Sequence, residues 1–558
     1  MTNLRSNAAI LFANDCYGTR GERLMGRQAA GEGFLNGYLS HSGVDRFFCH
    51  CAERSEANNF LELASPLLNG RTVTWIAKPQ IAAIAEPGTL YVPGPELGAY
   101  AWQRHRLSDQ RAFSLCGVTH TTASETAMKL IIELITAPVQ SWDALICTSL
   151  AVKANVERLF QGQREYLAVR TGATRFTLPQ LPVIPLGVDT SKFVSDPAAR
   201  HRWRSELQLA DENLVVIFVG RLSFHAKAHH VPMYMALESA ARQTKKQVTF
   251  VMAGWFANES IEKIFREDAA RYCPSVRVVF LDGRKPEIRY PIWQAADVFL
   301  SLSDNLQESF GLTPVEAMAA GLPAVVSDWD GYRDTIRDGI DGFRVPCASP
   351  APGFGGDQAA RFELDLDNYD HYCSGTSQFV AVDINAAATA LADLFTNSGL
   401  RLQMGSAGRL RAKQTYDWST IVGQYQTLWQ QLSEIRNSAD ESVPRNNPAS
   451  TNPNFRDPWW LFEGYATLAI QPDDLVQATS SATPESLEGL WTGQGTCPGT
   501  LQNLLPTLEE LKQLIERART ERSLRDLVSG FSPIRQPLIM RSTLWLMKYG
   551  MMTVARRK

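Results

Sequence analysis

Short apolar runs separated by longer mixed segments recur along much of the chain. The first series lies at residues 8–13, 72–77, 89–92, 112–118 and 144–149. A second series lies at residues 214–220, 248–254, 276–283, 296–300, 324–327 and 342–346. Apolar runs of this length are typical of strands buried on both faces of a parallel sheet, and the segments between them are long enough for helices. The pattern predicts an α/β chain with two doubly wound parallel-sheet domains.

The composition is that of a globular protein, and its charges nearly balance, so it has no strong overall electrostatic field. Of the 558 residues, 44% are hydrophobic and 20% are charged. The 55 Lys and Arg against 58 Asp and Glu give a net charge of −3. This balance gives no argument for a nucleic-acid partner or an anionic membrane. No run approaches the ~20 apolar residues of a membrane span, so we expect a cytoplasmic protein.

The nine cysteines are scattered, and only Cys49-His50-Cys51 is clustered. Alternation along a strand sends these two thiols to one face and His50 to the other. No second Cys or His pair follows at a zinc-binding spacing. Buried free thiols are therefore the prediction, and an odd cysteine count suits a reducing compartment.

The stretch from Ser301 to Pro323 predicts a loop that ends at a helix N-terminus. Thr313 is the expected N-cap, Pro314 the first helical residue and Glu316 the partner in a capping box. The helix is expected to stop at Gly321, with Pro323 beyond it. Free N–H groups and the positive end of the helix dipole make such a place an anion site.

Glu308 stands before this anion site, and Glu316 lies in the first turn of the helix, eight residues after Glu308, in the segment Glu308-Ser-Phe-Gly-Leu-Thr-Pro-Val-Glu316. With the Asp297-Val-Phe-Leu strand before it and Glu-Ala-Met-Ala-Ala-Gly-Leu-Pro323 at its end, the segment resembles the E-x7-E motif of the retaining glycosyltransferases of family 4. The alternatives are a plain capping carboxylate at Glu316, which is compatible with that role, and a solvated loop charge at Glu308.

The resemblance implies a GT-B fold, in which two Rossmann-like domains face each other across a cleft. It implies transfer of a sugar from a UDP- or GDP-sugar to a hydroxyl acceptor, with retention and without a catalytic metal. Glu308 would then face the sugar and Glu316 the nucleotide ribose. The loop with Gly283 and Arg284 would lie by the base, and His120 near the donor sugar; the alternative for His120 is a satisfied loop histidine.

Arg221 and Lys227 follow the predicted strand that ends at Gly220. Two cations beside the helix N-terminus, with the N–H groups of Gly311, Leu312 and Thr313, would hold a diphosphate. The family shows G-R-L-x-x-x-K, whereas here the two cations are six residues apart. This departure affects the placement of Lys227 more than that of Arg221, and a pair of surface cations is the alternative.

A glycine-rich stretch at residues 15–33 leads into an apparent helix at 33–40. It has neither a G-x-G-x-x-G nor a P-loop pattern. In the resembled family the equivalent loop lines the cleft, which makes Arg20, Arg27 and Glu32 groups that could reach across it. A flexible turn without a functional role is the alternative.

The segment Val183-Ile-Pro-Leu-Gly-Val-Asp189 resembles the I-P-x-G-V-D segment that joins the two domains of the family. We therefore place an N-terminal, acceptor-side domain at 1–185 and a nucleotide-sugar-binding domain at 186–415. Residues 347–378, rich in Pro, Gly and acids, depart from the family pattern and are expected to form an inserted loop. Residues 416–436 are similar to the closing helix that returns to the N-terminal domain.

Two segments match a D-x-D pattern and are interpreted as solvated acids. They contain Asp328 with Asp330, and Asp365 with Asp367.

A polar linker is predicted at 437–455 and a mostly helical accessory module of unknown role at 456–558. Residues 501–528 are expected to be mostly helical. For the apolar and basic end of the chain, three interpretations are open. It could be a core helix, a partner-binding end, or an interfacial helix at 534–558 that contacts the inner face of a membrane.

The function expected from all of this is sugar transfer in glycan, polysaccharide or glycolipid synthesis, with a carbohydrate or lipid-linked acceptor. The alternatives are another GT-B activity, namely a sugar-phosphate synthase or a nucleotide-sugar hydrolase, and a non-catalytic sugar-binding scaffold.

Overall fold

The computed structural model describes residues 6–18, 26–210, 212–440 and 451–555, except for the side chains of residues 26, 27, 500 and 501. The chain divides into two compact units, Met1–Thr451 and Asn452–Lys558. The larger unit contains two six-stranded parallel sheets with helices on both faces, and the smaller unit contains a short antiparallel sheet with helices. The predicted fold class, two doubly wound parallel sheets and a mostly α C-terminal module, is confirmed.

The N-terminal sheet has the strand order β3-β2-β1-β4-β5-β6, so the order reverses between β1 and β4. All its pairs are parallel, with Ile10 opposite Cys49 on one side and Ala9 opposite Leu90 on the other. Its strands are β1 Ala9–Leu11, β2 Arg46–Cys51, β3 Thr72–Ala77, β4 Thr89–Val92, β5 Ser114–Val118 and β6 Ala144–Ile146. The helices between and after them are α1 Asn14–Tyr17, α2 Gly26–His41, α3 Arg54–Ala64, α4 Leu97–Leu107, α5 Glu125–Glu133 and α6 Leu150–Thr171.

The second sheet repeats this topology as β12-β11-β10-β7-β8-β9, with its reversal between β7 and β10. Its strands are β7 Leu214–Val219, β8 Val248–Gly254, β9 Arg277–Asp282, β10 Val298–Ser301, β11 Ala324–Ser327 and β12 Gly342–Val345. Its helices are α7 Pro197–Glu206, α8 His230–Thr244, α9 Glu259–Tyr272, α10 Pro286–Arg289, α11 Leu312–Ala320 and α12 Tyr332–Thr335. In doubly wound sheets such reversal points open a crevice for ligands at the carboxyl ends of the strands.

The segment 347–378, predicted as an inserted loop, is instead a folded helical hairpin. Its two-stranded stem pairs β13 Cys347–Ala348 with β14 Ala381–Val382, and it carries helices α13 Gly356–Glu363 and α14 Tyr369–Ser377. The Asn368 side chain caps α14 by accepting from the His371 N–H at 2.9 Å. The Phe362 and Tyr372 rings stack at 4.4 Å and join the helices. Pro and Gly at the start of the segment suggested a loop, but the local cap and the ring pair stabilise helices after it.

The helices that close the larger unit are α15 Ile384–Thr396, α16 Ser398–Arg411 and α17 Trp418–Ser438. A buried stripe on α17, including Trp418, Tyr425 and Trp429, belongs to the core around β1 and α2 of the N-terminal sheet. The close packing needs glycine at position 37, where a Cβ would lie 2.7 Å from the Trp418 ring. The predicted linker at 437–455 is described at residues 437–440 and 451–455, and its first two residues are the end of α17, whereas residues 441–450 lie outside the described residues.

The C-terminal unit has its own core around Leu511, Leu514, Leu527, Ile539 and Leu546. The predicted helical stretch at 501–528 is interrupted by a strand that pairs with β15. The apolar stretch near the chain end is a helix whose residues Ile539 and Leu546 are buried in this core. The elements are α18 Pro458–Leu461, β15 Leu475–Ala478, α19 Pro484–Thr492, α20 Leu508–Arg517, β16 Arg522–Ser523, α21 Leu524–Val528, α22 Gln536–Lys548 and β17 Met552–Val554.

Candidate active site

A cavity of about 460 Å³ lies between the two parallel-sheet domains, and loops at the carboxyl ends of their strands line it. Parallel strands end at the same edge of a sheet, so residues that are distant in sequence meet there. The cavity brings together ten residues that the sequence analysis predicted to bind the donor or act on it. These are His120, Arg221, Lys227, Gly283, Arg284, Glu308, Gly311, Leu312, Thr313 and Glu316.

Lys227 and Glu308 form an ion pair inside the cavity, through Lys227 Nζ and Glu308 Oε2. Their side chains are only 17% and 10% exposed. Burial lowers the pKa of Lys227, but the Glu308 carboxylate and the Tyr332 hydroxyl more than offset this, so the pKa is raised overall. The ammonium group therefore stays charged at neutral pH and faces a carboxylate in a partly dry site.

The loops that carry these two side chains are tied to each other by residues that follow β10. Ser303 Oγ donates to the Lys227 carbonyl at 2.9 Å, and Asn305 Nδ2 donates to the His225 carbonyl at 2.9 Å. Asn305 Oδ1 also accepts from the Gln307 N–H at 3.0 Å, one residue before Glu308. Ser303 and Asn305 thus fix the positions of both the cation and the acid. The sequence-based prediction did not include them, although their place directly after a buried strand was a usable signal.

The helix at the anion site begins at Leu312 and not at Thr313, and its N-cap is Gly311 with φ of 91°. No side chain caps it, so the predicted Thr313 cap and the capping box with Glu316 are wrong. The chain instead turns into the helix at Gly311 in a left-handed conformation, and only glycine fits there because a Cβ would lie 2.3 Å from the Tyr332 ring. The first residues of the helix, from Gly311 to Thr313, line the cavity.

Glu316 is the fifth residue of the helix instead of the predicted third, and its half-buried side chain lines the cavity. Burial raises the pKa of Glu316 to about 7, although Arg289, Lys227 and Lys192 lower it in part. A carboxyl group with this pKa exchanges its proton near neutral pH, and hydrogen-bond donors on a ligand would favour the charged form.

Arg221 and Arg284 both line the cavity, and each has different partners. Arg221 Nη2 donates to the Ala226 carbonyl at 3.2 Å, within the loop that leads to Lys227. Arg284 forms a two-point ion pair with Asp282, both contacts at 2.9 Å, and its guanidinium lies 5.7 Å from the centre of the Trp255 ring. Trp255 follows β8 and also lines the cavity, so a flat aromatic surface stands where the loop at Gly283 was predicted to meet a base.

The N-terminal domain contributes His120, in the loop that follows β5. Its Nε2 lies 3.1 Å from the Pro93 carbonyl oxygen, which can only accept, so this nitrogen carries a hydrogen. The Ser309 hydroxyl donates to the His120 carbonyl, and Thr148 Oγ1 lies 3.5 Å from the Ser309 carbonyl. The residue next to Glu308 therefore contacts the opposite domain, which keeps the acid close to His120.

Arg289, Tyr290 and Tyr369 also line the cavity and were not predicted from the sequence. The Tyr290 ring is flanked by two cations, with Arg289 at 5.3 Å and Lys192 at 5.2 Å from its centre. A second cavity of about 440 Å³ adjoins the first one and shares Arg289, Tyr290 and Glu316 with it. Glu32, one of the polar groups of the glycine-rich stretch, lines this second cavity. Arg20 and the side chain of Arg27 lie outside what the structure describes.

The two D-x-D segments were interpreted as solvated acids, and this is wrong for Asp330. Burial and the nearby Glu308 charge raise the pKa of Asp330 well above its usual range. Asp328 lies 3.4 Å from Arg344, and Asp367 lies 2.8 Å from Arg361. Within the described ranges, no group of three or more His, Cys, Asp and Glu side chains could hold a metal ion. Cys49 and Cys51 are buried free thiols, as predicted.

Among the helices that the structure describes, none has the length and apolar character needed to cross a membrane.

Residues 199–351, which carry most of the cavity, match the family model described as Glycosyl transferases group 1. The D-inositol 3-phosphate glycosyltransferase of Nocardia farcinica is 32% identical over 168 residues, which is 30% of this chain and 36% of that protein. The protein of the same name from Geodermatophilus obscurus is 34% identical over 185 residues, 30% of this chain and 37% of that protein. The chain thus spans little more than a third of the length of these curated relatives.

Among solved structures, HepE of Anabaena in complex with UDP-glucose is 17% identical, with a TM-score of 0.47. The match covers 77% of this chain and 100% of that chain. Likeness at this level does not by itself identify an activity.

Proposed function

We propose that this chain is a retaining glycosyltransferase of the family 4 type. It moves a sugar from a UDP- or GDP-sugar to a hydroxyl acceptor and needs no catalytic metal. The observation that carries this proposal is the meeting of Lys227, Glu308 and the amides at Gly311 in one interdomain cavity. The match of residues 199–351 to the group 1 glycosyltransferases supports it independently of the geometry.

The side chains and amides of this site are best suited to stabilise the leaving group. When the bond between the anomeric carbon and the phosphate oxygen breaks, negative charge develops on the departing nucleoside diphosphate. Arg221, Lys227 and the N–H groups of residues 311–313 line the cavity where that charge would be held. Each pre-oriented donor of this kind contributes about 3–4 kcal/mol to stabilising a charged transition state.

The set of carboxylates that line the cavity supports the proposed retention of configuration. Among the described lining residues, the carboxylates are Glu308 and Glu316, and both come from the C-terminal domain. The N-terminal side presents His120 and Thr121, neither of which can form a covalent glycosyl ester. We infer an internal-return route, in which the departing phosphate oxygen takes the proton of the acceptor hydroxyl and the sugar keeps its anomeric configuration.

The remaining roles divide along the length of the cavity. Glu308 would accept hydrogen bonds from sugar hydroxyls at the end that it shares with His120. Glu316 would accept from the ribose, and Gly283, Arg284 and Trp255 would flank the base.

The two named relatives are glycosyltransferases of an inositol phosphate, so a phosphorylated polyol belongs among the acceptors to test beside glycans and lipid-linked sugars. A cytoplasmic location, and membrane contact through residues 534–558, stay predictions.

The test is a panel of UDP-, GDP- and ADP-sugars, each offered with inositol phosphate, oligosaccharide and glycolipid acceptors. Product formation is followed by nucleotide release, and the anomer is read by NMR. We expect one donor class to give a product of retained configuration in the presence of a chelator, and Glu308→Gln to slow its formation about 10²- to 10³-fold. An inverted product, a sugar phosphate, free sugar alone or no turnover with any donor would each contradict the proposal.

A further inference from the structure

The helical hairpin between β13 and β14 contributes one side chain, Tyr369, to the wall of the interdomain cavity. Its stem is anchored beside the second sheet, where Cys347 pairs with Val382 and Ala348 with Ala381. Its helix α14 begins at Tyr369, and the Tyr369 side chain lines the cavity together with Glu308 and His120. The hairpin therefore reaches the end of the cavity where the sugar would lie, which the sequence-based prediction did not anticipate.

Tyr369 also bridges the two domains. Its hydroxyl shares a hydrogen bond of 3.2 Å with Thr121 Oγ1, in the loop that follows β5 of the N-terminal sheet. The two residues are 248 positions apart in the chain, so only the folded hairpin brings them together. Thr121 Oγ1 accepts in addition from the Ala123 N–H at 3.2 Å, which fixes the hydroxyl in place.

The hairpin is held firmly enough to act as a wall of the cavity. Gln358 Nε2 donates to the Gly375 carbonyl at 3.2 Å, and Arg361 pairs with Asp367 at 2.8 Å. Cys373, one turn after Tyr369, is fully buried.

We propose that Tyr369 closes the sugar end of the cavity against water and so decides between transfer to an acceptor and hydrolysis of the donor. This inference rests on the proposed function. In both reactions the bond between the anomeric carbon and the phosphate oxygen breaks. In transfer the acceptor oxygen forms the new bond, and its proton goes to the diphosphate. In hydrolysis a water oxygen forms that bond, a water proton is released in the same way, and the products are free sugar and nucleoside diphosphate.

The two outcomes differ only in which oxygen reaches the anomeric carbon, so the residue that covers this carbon controls the ratio. Exclusion of water by a closed site is a general means of suppressing such hydrolysis. Here the cover is one aromatic ring on an insert, held across the cleft by its hydroxyl. Tyr369 is thus a specificity-determining residue, and Thr121 is the residue that positions it.

The experiment compares wild type with Tyr369→Phe, Tyr369→Ala and Thr121→Val, using the donor that wild type turns over. Free sugar and transfer product are measured in the same reaction, and nucleoside diphosphate affinity is measured by calorimetry. We expect Tyr369→Ala to raise the ratio of hydrolysis to transfer at least fivefold. Tyr369→Phe and Thr121→Val should each raise it about twofold and should not add when combined. Nucleoside diphosphate affinity should change less than twofold.

The matched control is Phe379→Ala in the same hairpin. The Phe379 side chain is apolar and 61% exposed, and it does not line the cavity. It should leave the ratio unchanged. An unchanged ratio in both Tyr369 variants, with wild type active, overturns the role of Tyr369 alone. A parallel loss of nucleotide affinity would show that the hairpin only stabilises the fold, and it also overturns that role. A wild type without turnover overturns the proposed function and this inference with it.

Discussion

Lys227 and Glu308 are bonded to each other in the cavity, although the resemblance assigns one to the diphosphate and the other to the sugar. A bound donor would therefore insert next to an existing ion pair rather than between two separate charges. Lys227 has three donor hydrogens, so it can keep Glu308 as one partner and still hold a phosphate oxygen. The pair thus joins the proposed diphosphate site to the proposed sugar site, and substitutions of Lys227 and of Glu308 should have different effects on binding and turnover.

Replacing Lys227 by Met should weaken nucleoside diphosphate binding. A hydrogen bond to a charged group contributes about 1.5–3 kcal/mol, which corresponds to a loss of roughly 10- to 150-fold in affinity. Arg221→Ala should have a similar effect, and calorimetry with UDP and GDP measures both. Lys263→Met, in an exposed pair with Glu267, is the control and should bind as wild type. Unchanged affinity in both cavity variants would show that the phosphates bind elsewhere.

Glu308→Gln should separate binding from turnover. The substitution removes the counter-ion of Lys227, whose ammonium group is then fully available to an anion, so nucleoside diphosphate affinity should stay equal or rise. Turnover should fall about 10²- to 10³-fold, because the group that faces the sugar loses its charge. Affinity comes from calorimetry and kcat from nucleotide release, with Glu267→Gln as the surface control. A parallel fall of affinity and kcat would mean that Glu308 only supports the fold of the loop.

Glu316 should make donor binding depend on pH. Burial raises its pKa to about 7, so a substantial part of the free protein carries this proton at neutral pH. A ribose hydroxyl that donates to Glu316 favours the carboxylate, and a nucleotide-diphospho-sugar changes no charge of its own in this range. Donor affinity should therefore rise roughly tenfold from pH 6 to pH 8, and binding near pH 6.5 should release a proton.

The measurement is calorimetry in two buffers with different ionisation enthalpies, in wild type and in Glu316→Gln. The variant should show neither the pH dependence nor the proton release. The effect on stability has the opposite sign to that of a carboxylate whose pKa is lowered by folding. Because the folded pKa is raised, the stabilising contribution is full below the usual pKa and is lost as the pH rises through 7. A pH-independent affinity in wild type would exclude Glu316 as the ribose acceptor.

Gly311→Ala should destabilise the protein more than a left-handed backbone alone explains. At Gly311 the new Cβ would lie 2.3 Å from the Tyr332 ring, whereas at Gly339, with φ of 71°, nothing lies within 4 Å. Gly339→Ala should destabilise the protein only by the strain of the left-handed backbone, about 1–2 kcal/mol. Gly311→Ala adds an overpacking cost of about 1–3 kcal/mol and should also weaken nucleotide binding. Urea unfolding of both variants and calorimetry give the comparison; equal stabilities would show that the ring moves aside freely.

The sequence predicts the parts of this molecule that depend on local pattern. Apolar runs identify the strands, and parallel strands place Arg221, Gly283 and Glu308 at one edge because each follows a strand end. Thr313, Pro314 and Glu316 form a good local signal for a helix start, but the observed N-cap, Gly311, lies two positions earlier. The local signal does not include the Tyr332 ring, which packs against Gly311 from 21 residues further along the chain.

The hairpin at 347–378 was missed for a related reason. Its prolines and most of its glycines lie before or at the start of α13, while the stabilising contacts of Phe362 with Tyr372 and of Tyr369 with Thr121 join residues that are separated in the chain. Asp330 was interpreted as solvated because a two-residue motif carries no information on burial. Both errors concern how segments pack against each other, which periodicity does not encode.

The buried Arg104–Asp143 pair should dominate the stability of the N-terminal domain. The guanidinium contacts both carboxylate oxygens at 2.7 Å, and both side chains are 0% exposed. Asp143 also accepts from the backbone N–H groups of Leu115 and Gln140, so the carboxylate ties three segments together. Removing one partner leaves an uncompensated buried charge and should cost about 3–5 kcal/mol.

Urea unfolding of Arg104→Met, Asp143→Asn and the double variant tests this as a double-mutant cycle. The double variant should lose less than the sum of the two single losses, because the second substitution removes a charge that the first one left unpaired. Glu125→Gln, in an exposed pair with Lys129, is the matched control and should unfold at the same urea concentration as wild type. Strict additivity would show that the two side chains act through separate partners, with Arg104 supporting the Phe113 carbonyl and Asp143 the backbone amides.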